Sequence, residues 1–194
     1  MRVIAGSAGG MRLTVPETDV RPTMDRVKAA IFSSLHSSIV GARVLDLFAG
    51  TGALGLEALS RGAASALFVE ENREAVRAIE QNFFRTKLRG PIRKQEVFAF
   101  LESAGNRERF DVIFADPPYE KTKNGGEFTR LLLENQTLSD LLEPGGLFVL
   151  EKRPEEKLSA PALWQIVRAK KYGATEVLFL KHPEAKVKIV ADDE

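Results

Sequence analysis

The tetrapeptide Asp116-Pro117-Pro118-Tyr119 follows an apolar run at residues 110–115, and its residue types suit a specific kind of chemistry. A proline lacks an N–H donor and pushes the residue before it into an extended conformation. The Asp116 carboxylate and the Pro117 carbonyl are therefore rigid acceptors without a competing donor, and Tyr119 supplies an aromatic wall. Such a pocket suits a planar group that carries an NH2, for example the exocyclic amine of a nucleobase. A plain proline-rich turn after a strand is the alternative for the tetrapeptide alone.

A glycine-rich motif lies upstream of this tetrapeptide. Gly50, Gly52 and Gly55 satisfy G-x-G-x-x-G directly after a second apolar run, residues 43–48, and before a helical pattern. Glycines let the backbone approach a ligand, and the helix that follows offers N–H groups and the positive end of its dipole. Glu70 ends a third apolar run about 20 residues after Gly50, where an acid accepts hydrogen bonds from ribose hydroxyls. The motif predicts a cofactor that contains a nucleoside.

Composition limits the alternatives. With 194 residues, 44% of them hydrophobic, the chain is long enough for one globular domain with a small appendage. No apolar run approaches the ~18 residues of a membrane span and no signal-peptide pattern opens the chain, so we expect a soluble cytoplasmic protein without a membrane partner. For the oligomeric state, our expectation is a monomer. The absence of cysteine excludes thiolate nucleophiles and thiolate zinc sites, and His36 and His182 lack metal-ligand spacing, so we predict no metal. A net charge of +1 gives no global sign of nucleic-acid binding.

The elements that must position these residues follow from hydrophobic periodicity. The first 40 residues predict a small hairpin, with strands at 2–5 and 11–15, and a helix from Thr23 to about Ser38. Strand and helix patterns then alternate: strands 43–48, 65–70, 91–95, 110–115 and 147–151, with helices 53–61, 72–85, 97–103 and about 127–141, and a last pair of strands near 164–170 and 175–181. This alternation predicts an α/β, three-layer, Rossmann-like fold with a mostly parallel seven-stranded sheet and an antiparallel C-terminal strand.

The predicted organisation has three parts. Residues 1–40 form a hairpin-and-helix appendage, residues 41–183 form the α/β domain, and residues 184–194 form a charged tail. Ligands of parallel α/β sheets bind outside the carboxyl ends of the strands. Four candidate site residues fall just after such strand ends: Gly50, Glu70, Glu96 and Asp116. The sequence therefore predicts one site along a single edge of the sheet.

Two motifs together resemble a known superfamily. The segment DLFAGTG at residues 46–52, followed by DPPY at 116–119, resembles the S-adenosylmethionine-dependent amino methyltransferases. Three further segments narrow the resemblance to the bacterial 16S ribosomal RNA guanine-N2 methyltransferase family: MRVIAG at 1–6, RPTMDRV at 21–27 and GALGLEALSRGA at 52–63. The resemblance extends from Met1 to about Leu180.

The resemblance implies S-adenosyl-L-methionine as cofactor, S-adenosyl-L-homocysteine as product and a methyltransferase domain at residues 41–183. It implies that Asp46 favours the ammonium group of the cofactor, that Glu70 accepts the ribose hydroxyls, and that Glu96 and Val97 contact adenine, although the family usually has aspartate where Glu96 stands. The residues that it assigns to the cofactor are Asp46, Phe48, Gly50, Gly52, Glu70, Glu96 and Val97. A strand-end cap for Asp46, an unremarkable loop acid for Glu70 and a solvated charge for Glu96 are the alternatives.

The same resemblance implies the reaction. Asp116 and the Pro117 carbonyl would bind the target amine while Tyr119 stacks on the base, so these three are the predicted catalytic residues. Substrate contacts are predicted for Arg21, Arg26, Pro118 and Tyr119. The implied substrate is the exocyclic N2 amine of a guanine in 16S ribosomal RNA, within a small-subunit particle.

Local charge gives a second indication of RNA. Residues 85–94 contain five basic residues and no acid: Arg85, Lys87, Arg89, Arg93 and Lys94. Such a cluster suits phosphate contacts, and a solvated charged face is the alternative. Four aromatic residues are predicted to lie in the core rather than to serve as base platforms: Phe83, Phe84, Phe148 and Trp164.

Three other functions remain open at this point. A dinucleotide-dependent oxidoreductase would also carry the glycine motif and Glu70, but it has no use for the tetrapeptide. A non-catalytic RNA-binding assembly factor could keep the same fold. A DNA or other RNA amino methyltransferase would share the tetrapeptide, although DNA enzymes usually insert a target-recognition region that this chain lacks between its two motifs.

Overall fold

The computed structural model describes residues 1–16, 25–104, 108–118, 127–156, 158 and 162–183. Within these ranges the helices are α1 (Asp25–Leu35), α2 (Ala53–Ser60), α3 (Arg73–Thr86), α4 (Val97–Ala104), α5 (Glu127–Glu134) and α6 (Gln136–Asp140), with a 3-10 turn at His36–Ile39. The strands are β1 (Arg43–Leu47), β2 (Ser65–Val69), β3 (Ile92–Arg93), β4 (Phe110–Ala115), β5 (Leu142–Lys152), β6 (Gln165–Tyr172) and β7 (Thr175–Lys181). No helix in this part of the chain is long and apolar enough to cross a membrane.

The strands form one mixed sheet in the order β3-β2-β1-β4-β5-β7-β6. The first five strands in this order pair in parallel, whereas β7 pairs antiparallel with both β5 and β6. The predicted fold class is therefore confirmed. Asp46 lies opposite Phe114, and Ala115 lies opposite Leu150, so the carboxyl ends of β1, β4 and β5 meet at one edge of the sheet.

Alternating side chains divide the core into two layers, one on each face of the sheet. The helices α1, α2 and α3 cover one face, which we call the first face, where the buried strand residues are Val44, Ala66, Phe68, Val112, Phe114, Val149, Val177 and Phe179. The helices α4, α5 and α6 cover the second face, where they are Leu45, Leu47, Leu67, Val69, Ile113, Ala115, Phe148, Leu150, Leu178 and Leu180. Both faces are covered, which explains the continuous apolar runs of the central strands.

Several element boundaries differ from the prediction. The helix predicted at 127–141 is two helices, because Asn135 takes an extended conformation and its side chain accepts the Leu138 N–H at 2.8 Å to begin α6. The strand predicted at 91–95 is shorter in the structure and consists of Ile92 and Arg93. The strand predicted at 147–151 begins earlier, because Leu142 already pairs with Phe110 before a register shift in the ladder.

The N-terminal hairpin is less regular than predicted. A single antiparallel bridge joins Arg2 and Arg12 in place of two strands. The predicted helix start at Thr23 lies outside the described residues, and α1 ends at Leu35, where the chain tightens into the 3-10 turn. The proposed division into an appendage and a main domain stays a prediction.

Glu57 of α2 holds the N-terminal segment against the sheet domain. Its carboxylate is fully buried and accepts the N–H groups of Ile4 at 2.6 Å and Ala5 at 3.1 Å. It also forms ion pairs with Lys28 at 3.6 Å and Arg61 at 2.7 Å. Burial lowers the pKa of Lys28, and the charge of Glu57 opposes that shift. Each buried charge is therefore compensated by the other.

Close packing at Gly6 reinforces this contact. Gly6 has a φ of +86°, and a Cβ there would lie 1.8 Å from the Ser60 carbonyl oxygen, so only glycine fits. On either side of it, the Ser60 hydroxyl donates to the Ala5 carbonyl at 2.6 Å and accepts the Ala8 N–H at 3.0 Å.

Removing the Glu57 carboxylate should destabilise the fold strongly. We expect Glu57→Ala to lower the free energy of unfolding by about 3–5 kcal/mol, because Lys28 would keep a buried charge without its partner. Glu134→Ala is the control, since the Arg130–Glu134 pair at 2.6 Å is exposed and should contribute less than about 0.5 kcal/mol. Urea unfolding of both variants measures the difference, and equal effects would contradict this account of α2.

Candidate active site

The predicted site residues lie along the carboxyl edge of the sheet. Glu96 follows β3, Glu70 follows β2, Gly50 follows β1 and Asp116 follows β4, in the order of the strands across the sheet. The site is built by the tips of four parallel strands and by the helices that begin directly after them.

The glycine motif forms the turn between β1 and α2. Gly50 and Gly52 have φ values of +54° and +75°, and Gly52 is the N-cap residue directly before α2. A Cβ at Gly55 would lie 2.4 Å from the Phe68 ring, so glycine is needed for the helix to pack on the sheet. The Gly55 N–H donates to the Asp46 carboxylate at 2.8 Å. Asp46 therefore caps the first turn of α2, and its role toward the ammonium group of a cofactor stays a prediction.

Glu70 braces the glycine turn. One carboxylate oxygen accepts the Gly50 N–H at 2.7 Å, and the other accepts the Asn72 N–H at 2.8 Å. The half-buried side chain therefore ties the tip of β2 to the turn after β1, rather than being an unremarkable loop acid. Its role toward ribose hydroxyls stays a prediction.

Glu96 and Val97 begin α4. The Glu96 carboxylate accepts the N–H groups of Phe98 at 3.0 Å and Ala99 at 2.9 Å, and Val97 is buried. Glu96 thus caps a helix, where a negative charge also complements the helix dipole. The predicted contact of these two residues with adenine is not tested by this geometry.

Phe48 belongs to an aromatic group that the sequence did not predict. Its φ of +55° is unusual for a bulky residue, and strain of this kind clusters at functional sites. The ring lies 5.8 Å from Phe128 and 6.4 Å from Phe98, and the latter two rings stack at 6.0 Å. The three rings, half-buried, line the second-face side of the edge. In the sequence, the sign of this aromatic group was an aromatic residue in the first turn of both α4 and α5.

Acidic side chains converge on the first-face side of the edge. Asp46 is 2% exposed, and burial raises its pKa to about 8, with the charges of Asp116 and Glu70 adding to the shift and the Gly55 N–H opposing it. A further acid, Glu151 of β5, is also buried, and sequence reasoning missed it. Its signal was its place at the end of a predicted strand, like that of Asp116. In the described part of the chain, no group of three or more histidine or acidic side chains has the geometry to hold a metal ion.

The remaining predicted residues divide into three groups. Pro117 is buried and Pro118 is exposed, directly after β4. Arg26 is exposed on the first turn of α1. Tyr119 and Arg21 lie outside the described residues. The structure thus brings together Asp46, Gly50, Gly52, Glu70 and Asp116 but leaves Arg26 on a helix surface.

The parallel sheet, the glycine turn and the acids at the strand ends define a Rossmann-like methyltransferase. The 16S rRNA N2 G1207 methyltransferase RsmC of Thermus thermophilus, whose structure holds AdoMet and guanosine, shares this fold with a TM-score of 0.64 and 24% identity, covering 85% of this chain and 45% of that one. YhhF of Escherichia coli matches with a TM-score of 0.78 and 33% identity over 95% of this chain and 99% of that one.

Sequence comparison identifies the family. YlbH of Bacillus subtilis is 37% identical over 187 residues, 93% of this chain and 98% of that protein. Ribosomal RNA small subunit methyltransferase D of Escherichia coli K12 is 36% identical over 176 residues, 89% of this chain and 85% of that protein. The family model described as "Conserved hypothetical protein 95" matches residues 1–181, and the chain belongs to this family.

The raised pKa of Asp46 makes stability depend on pH. The folded protein holds the Asp46 proton up to about pH 8, whereas the unfolded chain loses it near the ordinary value of 3.8, so the free energy of unfolding falls as pH rises between these values. Asp46→Asn cannot ionise, and its amide oxygen still accepts the Gly55 N–H. Between about pH 5.5 and about pH 8.5 we expect the wild type to lose at least about 1.4 kcal/mol more than Asp46→Asn in urea unfolding. Parallel pH dependences would show that Asp46 is already ionised in the folded protein.

Proposed function

We propose that this protein transfers a methyl group from S-adenosylmethionine to the exocyclic N2 amine of a guanine in 16S ribosomal RNA. The observation that carries the proposal is the position of Asp116 and Pro117 at the tip of β4, next to Asp46 and the glycine turn. The named Escherichia coli relative is a ribosomal RNA small subunit methyltransferase, which supports the same substrate here. The family match does not favour an oxidoreductase.

The residues at the edge fit a cofactor that carries positive charge and a nucleoside. S-adenosylmethionine supplies an electrophilic methyl group on a sulfonium centre. Asp46, buried beside Asp116 and Glu70, would hold the ammonium group, because a cation compensates these carboxylates. Glu70 would receive the ribose hydroxyls, and the Glu96–Val97 segment with the ring of Phe48 would hold adenine. The turn at Gly50 and Gly52 leaves room for the methionine end.

The reaction then depends on how the amine is held. The exocyclic nitrogen of guanine is a poor nucleophile, because its lone pair is delocalised into the ring. The Asp116 carboxylate and the Pro117 carbonyl would accept its two N–H bonds and turn the lone pair toward the methyl group, so that proximity and orientation lower the barrier. Tyr119 would stack on the base, which contributes ~1–3 kcal/mol. After transfer, the nitrogen would lose a proton to Asp116 or to water.

The guanine must leave its stack to reach this pocket. We propose that a small-subunit particle presents it and that the protein acts as a monomer. The direct test is incubation of the protein with radiolabelled cofactor and naked 16S RNA, small subunits or DNA, followed by mapping of the labelled nucleotide. Label on guanine N2 of 16S RNA is the expected result, highest with small subunits. Label on DNA, or on another base, would overturn the proposal.

A basic surface along the β3 side of the sheet would contact RNA phosphates. We call it the basic stripe: Arg85, Lys87, Arg89, Arg93 and Lys94, all exposed. Helix α3 starts at the carboxyl edge of the sheet and runs away from it, and β3 runs back to that edge. The stripe therefore extends from the amino ends of the parallel strands to the site at their carboxyl ends. Its length suits a nucleic-acid backbone rather than a single phosphate.

Phe84 lies within this surface, and its prediction as a core residue is wrong. Its side chain is 87% exposed, whereas the neighbouring Phe83 is half-buried and packs edge-on against Phe68 at 5.2 Å. Successive residues of a helix point about 100° apart, so only one of the two rings can face the sheet. Phe148 and Trp164 are buried, as predicted. An exposed ring among cations suits stacking on an unpaired base.

Asp116 should matter for transfer and not for cofactor binding. We expect Asp116→Ala to reduce single-turnover methyl transfer by at least ~10², the scale of losing one positioned polar group that acts in the transition state. Asp116→Asn should be milder, because its amide oxygen still accepts an N–H. Calorimetry should find cofactor affinity nearly unchanged in both variants. Near-normal transfer by Asp116→Ala would remove the amine-binding role from this residue.

Charge reversal in the basic stripe should weaken RNA binding. We expect Arg85→Glu combined with Arg89→Glu to lower affinity for 16S RNA and to flatten its salt dependence, since removing one phosphate-binding cation reduces the logarithmic salt slope by about 0.7–0.9. Lys170→Glu combined with Lys171→Glu is the matched control, because it reverses two exposed cations of β6, the strand at the other side of the sheet from β3. Equal losses of affinity from both changes would indicate general attraction to the protein's charge and no specific surface.

A further inference from the structure

Glu151 lies beside Asp116 at the carboxyl edge of the sheet. The β4–β5 ladder pairs Ala115 with Leu150, so Asp116 and Glu151 are the next positions along the two neighbouring strands. Side chains alternate between the faces of a sheet, so both point to the first face, as Asp46 does on the other side of β4. Three acids thus occupy adjacent strands on one face.

The carboxyl group of Glu151 is buried without a full set of partners. The residue is 3% exposed, and among the described residues its Oε1 has no hydrogen-bond partner. The neighbour across the ladder on β7 is Val177, which offers no polar side chain. A buried polar atom without a partner is costly, and its persistence in a fold calls for a functional reason.

The charges around Glu151 are those of other acids. Burial raises its pKa well above the usual range, and the carboxylates of Asp116 and Asp46 raise it further. Lys152, next in sequence, points to the other face and is engaged by Glu176 at 2.9 Å.

The cations of the first-face helices are either paired or exposed to solvent, and the exposed ones are Arg26, Arg73, Arg77 and Arg85. On α1 and α2, Lys28 and Arg61 both pair with Glu57. Within the described part of the chain, Asp116 and Asp46 are therefore the charged groups that act on Glu151. Burial and the two neighbouring carboxylates therefore favour the protonated form of Glu151.

We propose that Glu151 is a positioning residue for methyl transfer, which shares one proton with Asp116 and thereby sets the protonation of the amine-binding carboxylate. The inference rests on the proposed function. Two like carboxyl groups in one buried site cannot both ionise easily, so a single proton serves the pair. The proton on Glu151 leaves Asp116 ionised and able to accept an N–H of the amine.

The proton count balances over the reaction. The nitrogen lone pair forms the N–CH3 bond while the S–CH3 bond breaks and its electron pair stays on sulfur, so the cofactor loses one positive charge. The methylated nitrogen then releases one proton, and the pair of Asp116 and Glu151 takes it up. The pair thus goes from one proton to two as the sulfonium charge disappears, and the net charge of the site with its cofactor stays constant.

Carboxyl NMR of the free protein tests the pairing without any reaction. We expect the carboxyl carbon of Glu151, labelled with 13C, to titrate well above the range of an ordinary glutamate, and we expect Asp116→Asn to lower that midpoint clearly. Glu143 is the internal control, because it lies at the other end of β5 and binds Arg43 at 2.6 Å. An ordinary midpoint for Glu151, or one that ignores Asp116→Asn, would overturn the inference.

The pH profile of single-turnover transfer tests the consequence. We expect Glu151→Gln to keep transfer within about tenfold of wild type and to move the limb of the profile at higher pH by at least about one unit, because an amide cannot lose the shared proton. Glu151→Leu, which likewise has no carboxyl proton to lose, should move the same limb of the profile, and Glu143→Gln should match wild type. If Glu151→Gln transfers the methyl group at the wild-type rate and its pH profile superimposes on that of the wild type, this inference is wrong and the proposed function stands. If the wild type does not methylate guanine, the proposed function is wrong, and the NMR titration still decides whether Asp116 and Glu151 share a proton.

Discussion

The structure depends on one electrostatic constraint: three neighbouring parallel strands direct Asp46, Asp116 and Glu151 to the same face of the sheet at the same edge. In-register strands place these side chains near each other, and the burial of Asp46 and Glu151 removes the water that would screen their charges. Such a cluster is stable only if protons or cations compensate it. The raised pKa values of Asp46 and Glu151 show protons in that role for the free protein. The cationic cofactor would take that role over.

The same helix serves both the site and the N-terminal segment. Gly55, in the first turn of α2, donates to Asp46 at the site, and Glu57, two residues later, holds the backbone of residues 4 and 5 through two N–H groups. At the end of the helix, Ser60 makes a second contact with the N-terminal segment, through hydrogen bonds to the backbone of Ala5 and Ala8. A shift of α2 would therefore disturb the acid cluster and the N-terminal segment together. Seven of the eight residues of α2 are buried, so most substitutions in this helix would meet packed neighbours.

Much of the fold follows from the sequence alone. The order of strands and helices, the carboxyl edge and the turn at Gly50 and Gly52 come from local patterns, because parallel strands buried on both faces have a strong apolar signal. The break at Asn135 was missed because a residue that caps a helix looks like any polar position within a longer helical pattern. The exposure of Phe84 was missed because two adjacent aromatic residues do not reveal which one faces the sheet.

The sequence predicts candidate residues at one edge of the sheet, but it does not indicate every side chain that lies there. Motif reasoning named Asp46, Glu70 and Asp116, because each lies at a strand end or belongs to a tetrapeptide with clear chemistry, and their roles stay predictions. Glu151 carries no motif, and its importance arises only from the register of β4 and β5, which pairs residues distant in sequence. The hydrogen bonds that Glu70 and Glu96 make to backbone N–H groups also depend on loop geometry that no local pattern specifies.

Proton release on cofactor binding tests the central claim, that protons compensate the acid cluster until a cation replaces them. S-adenosylmethionine is titrated into the protein near pH 6.5 in two buffers of different ionisation enthalpy, at a pH where an amino group with an ordinary pKa of about 7.7–8.0 is already protonated. The account predicts release of about one proton per cofactor by the wild type and clearly less by Asp46→Asn. Equal binding heats in the two buffers, or undiminished release by Asp46→Asn, would contradict it.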